Sequence, residues 1–163
     1  MNKNKNYIMD ENQPRIDYNG TKRWYNQNGK KHRDNDQPAI ICCNGTQIWY
    51  QNGQKYRDND LPSKIYNDGT KFWYKNDVLH RDHDLPAIIN NVFQRWFQNG
   101  NYHRDNDLPA AIWASGTREW YKNDKLHRDN HLPAVIKSNG KLEWYINGEK
   151  QEEGELDATY IKG

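Results

Sequence analysis

His-Arg-Asp recurs along the chain, at His32-Arg33-Asp34, His80-Arg81-Asp82, His103-Arg104-Asp105 and His127-Arg128-Asp129, with Tyr56-Arg57-Asp58 as a variant. In phosphoryl transfer this tripeptide places an aspartate to take the proton of an attacking hydroxyl, beside a Gly-rich loop over the phosphates and a metal-holding Asp-Phe-Gly. This sequence has neither companion. Catalytic groups are also not copied at a constant step, so the tripeptide reads as structural. The overlapping Asp-x-Asp pairs (Asp34 and Asp36, Asp58 and Asp60, Asp82 and Asp84, Asp105 and Asp107) have carboxylates for Ca²⁺. Calcium takes about six to eight oxygens, however, and nothing near each pair supplies the remainder. The arginine before each pair competes with a cation. A zinc column of histidines is broken by Tyr56 and Met9 and has no cysteine beside it.

What these residues can do is pair with one another. A ladder of Arg33, Asp34, Arg57, Asp58, Arg81, Asp82, Arg104, Asp105, Arg128 and Asp129 is expected, Arg of one unit reaching Asp of the next. Each exposed pair contributes about 0–1 kcal/mol, more if networked. No set of nucleophile, base and orienter stands outside the repetition, so neither catalytic residues nor a cofactor or metal is expected, and the chain is not read as an enzyme.

The elements that carry the ladder follow from its step. Trp24, Trp49, Trp73, Trp96, Trp120 and Trp144 recur at steps of 25, 24, 23, 24 and 24, and Pro14, Pro38, Pro62, Pro86, Pro109 and Pro133 at 24, 24, 24, 23 and 24. Such a period means a stack of small units, none of which buries its apolar side alone. Each unit carries two turn signals. One is Asn19-Gly20, Asn44-Gly45, Asp68-Gly69, Ser115-Gly116 or Asn139-Gly140; the other is Asn28-Gly29, Asn52-Gly53, Asn76-Asp77, Asn99-Gly100, Asn123-Asp124 or Asn147-Gly148. Asn-Gly suits a type I′ hairpin turn, which needs positive φ at both central residues. The intervening segments are short and rich in Ile, Thr, Trp and Tyr, hence strands. A period of two sets Thr46, Ile48 and Tyr50 on one face and Gln47 and Trp49 on the other. The tryptophans are therefore expected in one repeat-stacking column and the tyrosines, with Phe97 once, in a second. The fold expected is all-β: an elongated, twisted antiparallel meander or solenoid of about six 24-residue β-hairpin repeats, about two strands per unit. Asn90-Asn91-Val92 is one residue short and lacks glycine, which predicts a bulge or an altered turn.

The repeats account for nearly all of the 163 residues. One repeat domain over 1–163 is expected, with degenerate caps at 1–14 and 151–163 and repeats over 15–150. Net charge is +2, from 24 basic and 22 acidic groups interleaved in every unit, which argues against nucleic acid as a partner. No apolar run is long enough for a transmembrane segment, and the start lacks a secretory leader. With only the adjacent Cys42 and Cys43 there is no disulfide framework, so the chain is expected inside a cell or a virion and not secreted.

Trp24-Tyr25-Asn26-Gln27-Asn28-Gly29-Lys30-Lys31-His32 and its copies resemble a divergent MORN-type repeat, with Arg104-Asp105-Asn106-Asp107 and its copies standing where that family has Gly-x-Gly. The Trp-Tyr-x-Asn-Gly-x-x-His-Arg-Asp-x-Asp-Leu-Pro-Ala variety looks like repeat proteins of giant viruses and like YwqK-type repeats. The resemblance implies a hairpin array used for attachment and brings no catalytic residues. The leading expectation is thus a non-enzymatic interaction scaffold with a protein partner, in cytoplasm or virion. Exposed sheet edges also predict self-association. The alternative is a small-ligand binder with aromatic cages between hairpins, as in choline- or sugar-binding repeats.

Overall fold

The structure is a computed structural model and describes residues 13–152. Every regular element among them is a β-strand. The chain divides into two compact units, Met1–Asp77 and Val78–Gly163. In the first, β1 (Arg15–Ile16), β2 (Lys22–Arg23), β3 (Ile40–Ile41), β4 (Gln47–Ile48), β7 (Lys64–Ile65) and β8 (Lys71–Phe72) form an antiparallel meander in that order. Strands β5 (Tyr50–Gln51) and β6 (Gln54–Lys55) form a separate ribbon, and β9 (Tyr74–Lys75) closes the unit.

The second unit begins with β10 (Val78–Leu79). Its meander runs β11 (Ile88–Ile89), β12 (Phe93–Arg95), β15 (Ala111–Trp113), β16 (Arg118–Glu119), β19 (Val135–Ile136), β20 (Leu142–Ile146) and β21 (Glu149–Gln151). Its ribbons are β13 (Phe97–Gln98) with β14 (Asn101–Tyr102) and β17 (Tyr121–Lys122) with β18 (Lys125–Leu126).

The all-β meander of hairpin repeats expected from the sequence is therefore present in each unit, but a repeat holds four short strands rather than two. The reason is the tryptophan. Trp49 interrupts the expected strand between β4, which belongs to the meander, and β5, which belongs to the ribbon. Its backbone N–H is donated sideways to the carbonyl of Ser63, as that of Trp24 is to Ala39, Trp96 to Ala110 and Trp120 to Ala134. The carbonyls of Trp24, Trp96 and Trp120 in turn accept the N–H of His32, His103 and His127. Of the six tryptophans in the repeating column, only Trp144 lies within an unbroken strand, β20.

The core is correspondingly thin. It consists of the buried indoles, the fully buried Ala39, Ala87, Ala110 and Ala134 after each proline, and Ile40, Ile88, Ala111 and Val135 in the meander. Alanine or Ser63 at the post-proline site leaves room for the indole, which buries far more area than an aliphatic side chain. That is how a chain with 34% hydrophobic residues holds together.

The turns divide by type. In Asn52-Gly53, Asn76-Asp77, Asn99-Gly100, Asn123-Asp124 and Asn147-Gly148 both residues have positive φ, as type I′ requires. In the other set only the glycine does (Gly20, Gly45, Gly69, Gly116, Gly140). There the glycine N–H closes a turn three residues long onto Asp17, Cys42, Tyr66, Trp113 or Lys137, and the preceding side chain accepts the N–H two residues on, as Asn44 Oδ1 does from Thr46 at 3.0 Å. This is a type I turn with a glycine bulge, not the type I′ expected. Asn26-Gln27-Asn28-Gly29 adopts the same bulged form, which absorbs the extra residue behind the 25-residue step. The glycine-free Asn90–Phe93 loop is an altered turn in which Asn90 Oδ1 accepts the N–H groups of Val92 and Phe93.

Candidate functional site

Each Asp-x-Asp-Leu segment is itself a turn. Leu61 donates its N–H to Asp58, Leu85 to Asp82, Leu108 to Asp105 and Leu132 to Asp129, and Gln37 does so to Asp34. The two central residues, such as Asn35 and Asp36 or Asn106 and Asp107, both have φ between 52° and 62°. Left-handed backbone is costly for residues other than glycine, and Asn and Asp tolerate it best. The turned-out carbonyl of the second central residue accepts the indole N–H of the next repeat: Trp49 Nε1 to Asp36, Trp73 to Asp60, Trp96 to Asp84, Trp120 to Asp107 and Trp144 to His131, at 2.9–3.0 Å.

The arginine sits between this turn and the indole. Arg57 lies 4.0 Å over the Trp49 ring, Arg104 4.0 Å over Trp96, Arg128 3.9 Å over Trp120 and Arg33 3.7 Å over Trp24. Its Nη1 donates to the proline carbonyl five residues on (Pro38, Pro62, Pro86, Pro109, Pro133). Its Nε and Nη2 fork onto a carboxylate: Arg57 onto Asp36, Arg104 onto Asp84, Arg128 onto Asp107, all at 2.7–2.8 Å. The ladder thus exists, with a different acidic rail. The acid reached is the second of each Asp-x-Asp pair, in the preceding repeat, where the sequence pointed to the first (Asp34, Asp82, Asp105). The guanidinium of Arg57 holds the Asp36 carboxyl below its ordinary range.

The first aspartate serves the histidine. His32 Nε2 meets Asp34 at 2.9 Å, His80 meets Asp82 at 2.9 Å, His103 meets Asp105 at 3.0 Å and His127 meets Asp129 at 2.8 Å. In the repeat with Tyr56 the phenol takes the place of the imidazole beside Asp58, which also accepts from Gln51 Nε2 as Asp105 does from Gln98. Hydrogen bonds from Gln98 and His103 lower the Asp105 pKa, and those from His127 and Lys122 lower that of Asp129. On the other side of the ring, Nδ1 of His32, His80 and His127 accepts the backbone N–H of Asn52, Asn99 and Asn147 in the following hairpin. A backbone N–H can only donate, so Nδ1 is the acceptor in these contacts and Nε2 faces the aspartate as donor. The next residue of the turn docks as well: Gly53 N–H onto Lys31, Gly100 onto Leu79, Gly148 onto Leu126. A Cβ at Gly100 would come within 3.1 Å of Val78 Cγ1, so glycine lets the ribbons approach. Where Asp replaces glycine, its Oδ1 accepts a second amide, Lys55 at Asp77 and Tyr102 at Asp124.

Between successive loops these contacts leave clefts. In the first unit one of about 330 Å³ lies between residues 32–36 and 56–59, floored by Trp49 and Tyr50. In the second a cleft of about 240 Å³ lies between 103–107 and 127–130, floored by Trp120 and Tyr121. The clefts present the first aspartates, 73% exposed at Asp34 and 63% at Asp105 and Asp129; outside them, at the end of each of four loops, Leu61, Leu85, Leu108 and Leu132 are each 37–38% exposed. Among the described residues no three His, Cys, Asp or Glu side chains gather as a metal centre would need. No described helix is long and apolar enough to cross a membrane.

The expected tryptophans all lie at the repeat junctions, and Arg81 and Asp82 keep their loop positions. The aromatic faces already carry the protein's own cations: Lys31 lies 4.9 Å over Tyr50 and Lys55 4.7 Å over Tyr74, beside the Arg–Trp pairs. Sequence reasoning missed the second rail, Asp36, Asp84 and Asp107, and it missed Arg95, which lies outside the loops. Compared with protein-family models, curated proteins and solved structures, the chain matches none.

Proposed function

We propose that the chain is a non-enzymatic interaction module that presents the same loop, repeat after repeat, to a protein partner in cytoplasm or virion. The observation that carries this reading is the division of labour within the loop. Arg, His and Trp are consumed by contacts that hold the repeats together, while the first aspartate stays exposed in each loop and a leucine stays more than a third exposed in four of them. A row of such side chains among charges suits a partner surface. The cage alternative has less in its favour, because the indole and phenol faces that a choline or sugar would need are covered by Arg and Lys. The likeness of the repeat to MORN-type hairpins points the same way.

A peptide library displayed against the folded chain tests this. Selected peptides should bind the wild type and lose affinity for the triple variant Leu85→Ser, Leu108→Ser, Leu132→Ser, compared at a temperature where circular dichroism shows both folded. Binding indifferent to those leucines would defeat the loop-face reading. Saturable quenching of Trp fluorescence by choline or a sugar would turn the assignment to ligand binding. Sedimentation over a concentration series reports any edge-to-edge association.

A further inference from the structure

The places where the repeat departs from its own pattern meet in space. Phe93 stands where Thr21, Thr46, Thr70 and Thr117 stand in other hairpins, and Trp113 lies outside the tryptophan column; Arg95 beside them holds a variable position, occupied elsewhere by Arg23, Ile48, Phe72, Glu119 and Glu143. Strands β12 and β15 set Phe93 opposite Trp113 and Arg95 opposite Ala111. Alternation puts Phe93, Arg95 and Trp113 on one face. The rings of Phe93 and Trp113 meet edge to face at 5.5 Å. The Arg95 guanidinium lies 4.0 Å over Phe93, 5.1 Å from Trp113 and 5.8 Å from Tyr102, whose ring packs on Tyr121 at 4.5 Å. All five side chains are half-buried.

Arg95 differs from the loop arginines in what it lacks. Arg57, Arg104 and Arg128 each fork onto a carboxylate; Arg95 has neither a carboxylate nor a carbonyl acceptor among the described residues, and its Nε is sealed from solvent without a partner. The acid on this face, Glu119, stands two strands away across Ala111 and forms no ion pair with Arg95. Both its oxygens are engaged, accepting Trp113 Nε1 and the Tyr121 hydroxyl at 3.1 Å. A guanidinium held rigid by aromatic rings, with its Nη fork unused, is preorganised for a planar oxyanion.

We propose that this patch docks a carboxylate of an acidic peptide segment of a partner protein, received by the Arg95 Nη fork and flanked by Phe93, Trp113 and Tyr102. The proposal rests on the interaction-module reading and adds a second, non-repeated surface to it. A singly charged carboxylate fits better than a phosphate dianion because Glu119 already holds negative charge on the same face. The half-buried rings call for apolar side chains beside the acid, and Trp, Tyr and Arg together are the composition of interface hot spots.

The test is fluorescence anisotropy with capped hexapeptides of central Glu and randomised apolar flanks, against a matched set with central Gln. Saturable binding by the Glu set is expected, at least tenfold weaker for the Gln partners. Arg95→Met and Arg95→Lys should each weaken it at least tenfold with the melting temperature unchanged, the lysine keeping charge but losing the fork. The Leu85, Leu108, Leu132 triple variant should bind as the wild type does. No Glu-dependent binding, retained affinity in Arg95→Lys and Arg95→Met, or displacement by inorganic phosphate at the peptide's own concentration would each overturn the proposal. Peptides that need the leucines yet bind Arg95→Met normally would sink this patch and leave the interaction module standing.

Discussion

Replacing Arg57 with Ala tests the loop physics most directly. The side chain forks onto Asp36 at 2.7 Å through both Nε and Nη2, touches the Pro62 carbonyl at 3.4 Å and covers Trp49. It is 15% exposed and Asp36 is 53% exposed, so solvent screens one end of the pair. A bidentate pair of this kind lies at the upper end of the surface range, about 0.5–1 kcal/mol. A largely desolvated cation on an indole adds about 1–2 kcal/mol. Arg57→Ala should therefore cost about 1.5–3 kcal/mol, and Arg57→Lys, which keeps charge without fork or stack, about half of that. Because repeats are stabilised by themselves and their neighbours, the loss should be local. Urea unfolding followed by Trp fluorescence gives the magnitude, and hydrogen exchange at the Trp49 amide, bound to Ser63, gives the place. A cycle with Asp36→Asn should return a coupling of about 0.5–1 kcal/mol. A loss below about 0.5 kcal/mol for Arg57→Ala, or strict additivity in the cycle, would refute the account of the ladder.

Three further outcomes are expected. Asp36, Asp105 and Asp129 all have pKa values lowered by hydrogen bonds in the folded state; their contribution is full above the unfolded carboxylate value of about 4 and is lost as pH falls through the lowered folded values. The carboxylate contribution to thermal melts should thus be constant above about pH 5 and drop below 4, and the Asp36 share of that drop should vanish in Arg57→Ala. His127→Ala removes the acceptor of the Asn147 amide as well as the contact to Asp129, costs about 1 kcal/mol and speeds exchange at Asn147; His103→Ala should cost less, since His103 Nδ1 is buried without a partner. Asn106 has φ of 60°, so Asn106→Ala should cost about 1 kcal/mol in chemical denaturation while Asn106→Gly stays near neutral.

The repetition made the hairpin meander legible because a turn residue such as Gly53 or Gly100 is dictated by its own φ and a period is visible without coordinates. Strand count was not legible, because the break at Trp49 comes from a hydrogen bond to Ser63, a residue of the next repeat. Pairing of arginine with the wrong acid has a similar cause. Asp34 is nearer to the arginines in the motif, but the left-handed turn leaves it beside its own His32, and Asp36 is the acid that faces Arg57. Glycine bulges escaped notice because Asn-Gly also spells a type I′ turn, and what separates the two is whether Asn44 uses its side chain to hold Thr46. Arg95 was overlooked since repeat alignment draws the eye to what recurs.

The indole-to-carbonyl clamp from Trp49 to Asp36, and its copies, bears on how such a chain can grow. The missing residue near Asn91 falls at a hairpin tip between Asp84 and Trp96, so that this clamp spans 12 positions where the one from Asp36 to Trp49 spans 13, and it still closes at 2.9 Å. Length variation at a tip therefore leaves the tryptophan lock in place. Tips are the splice points at which foreign sequence could be carried on this frame without unseating it.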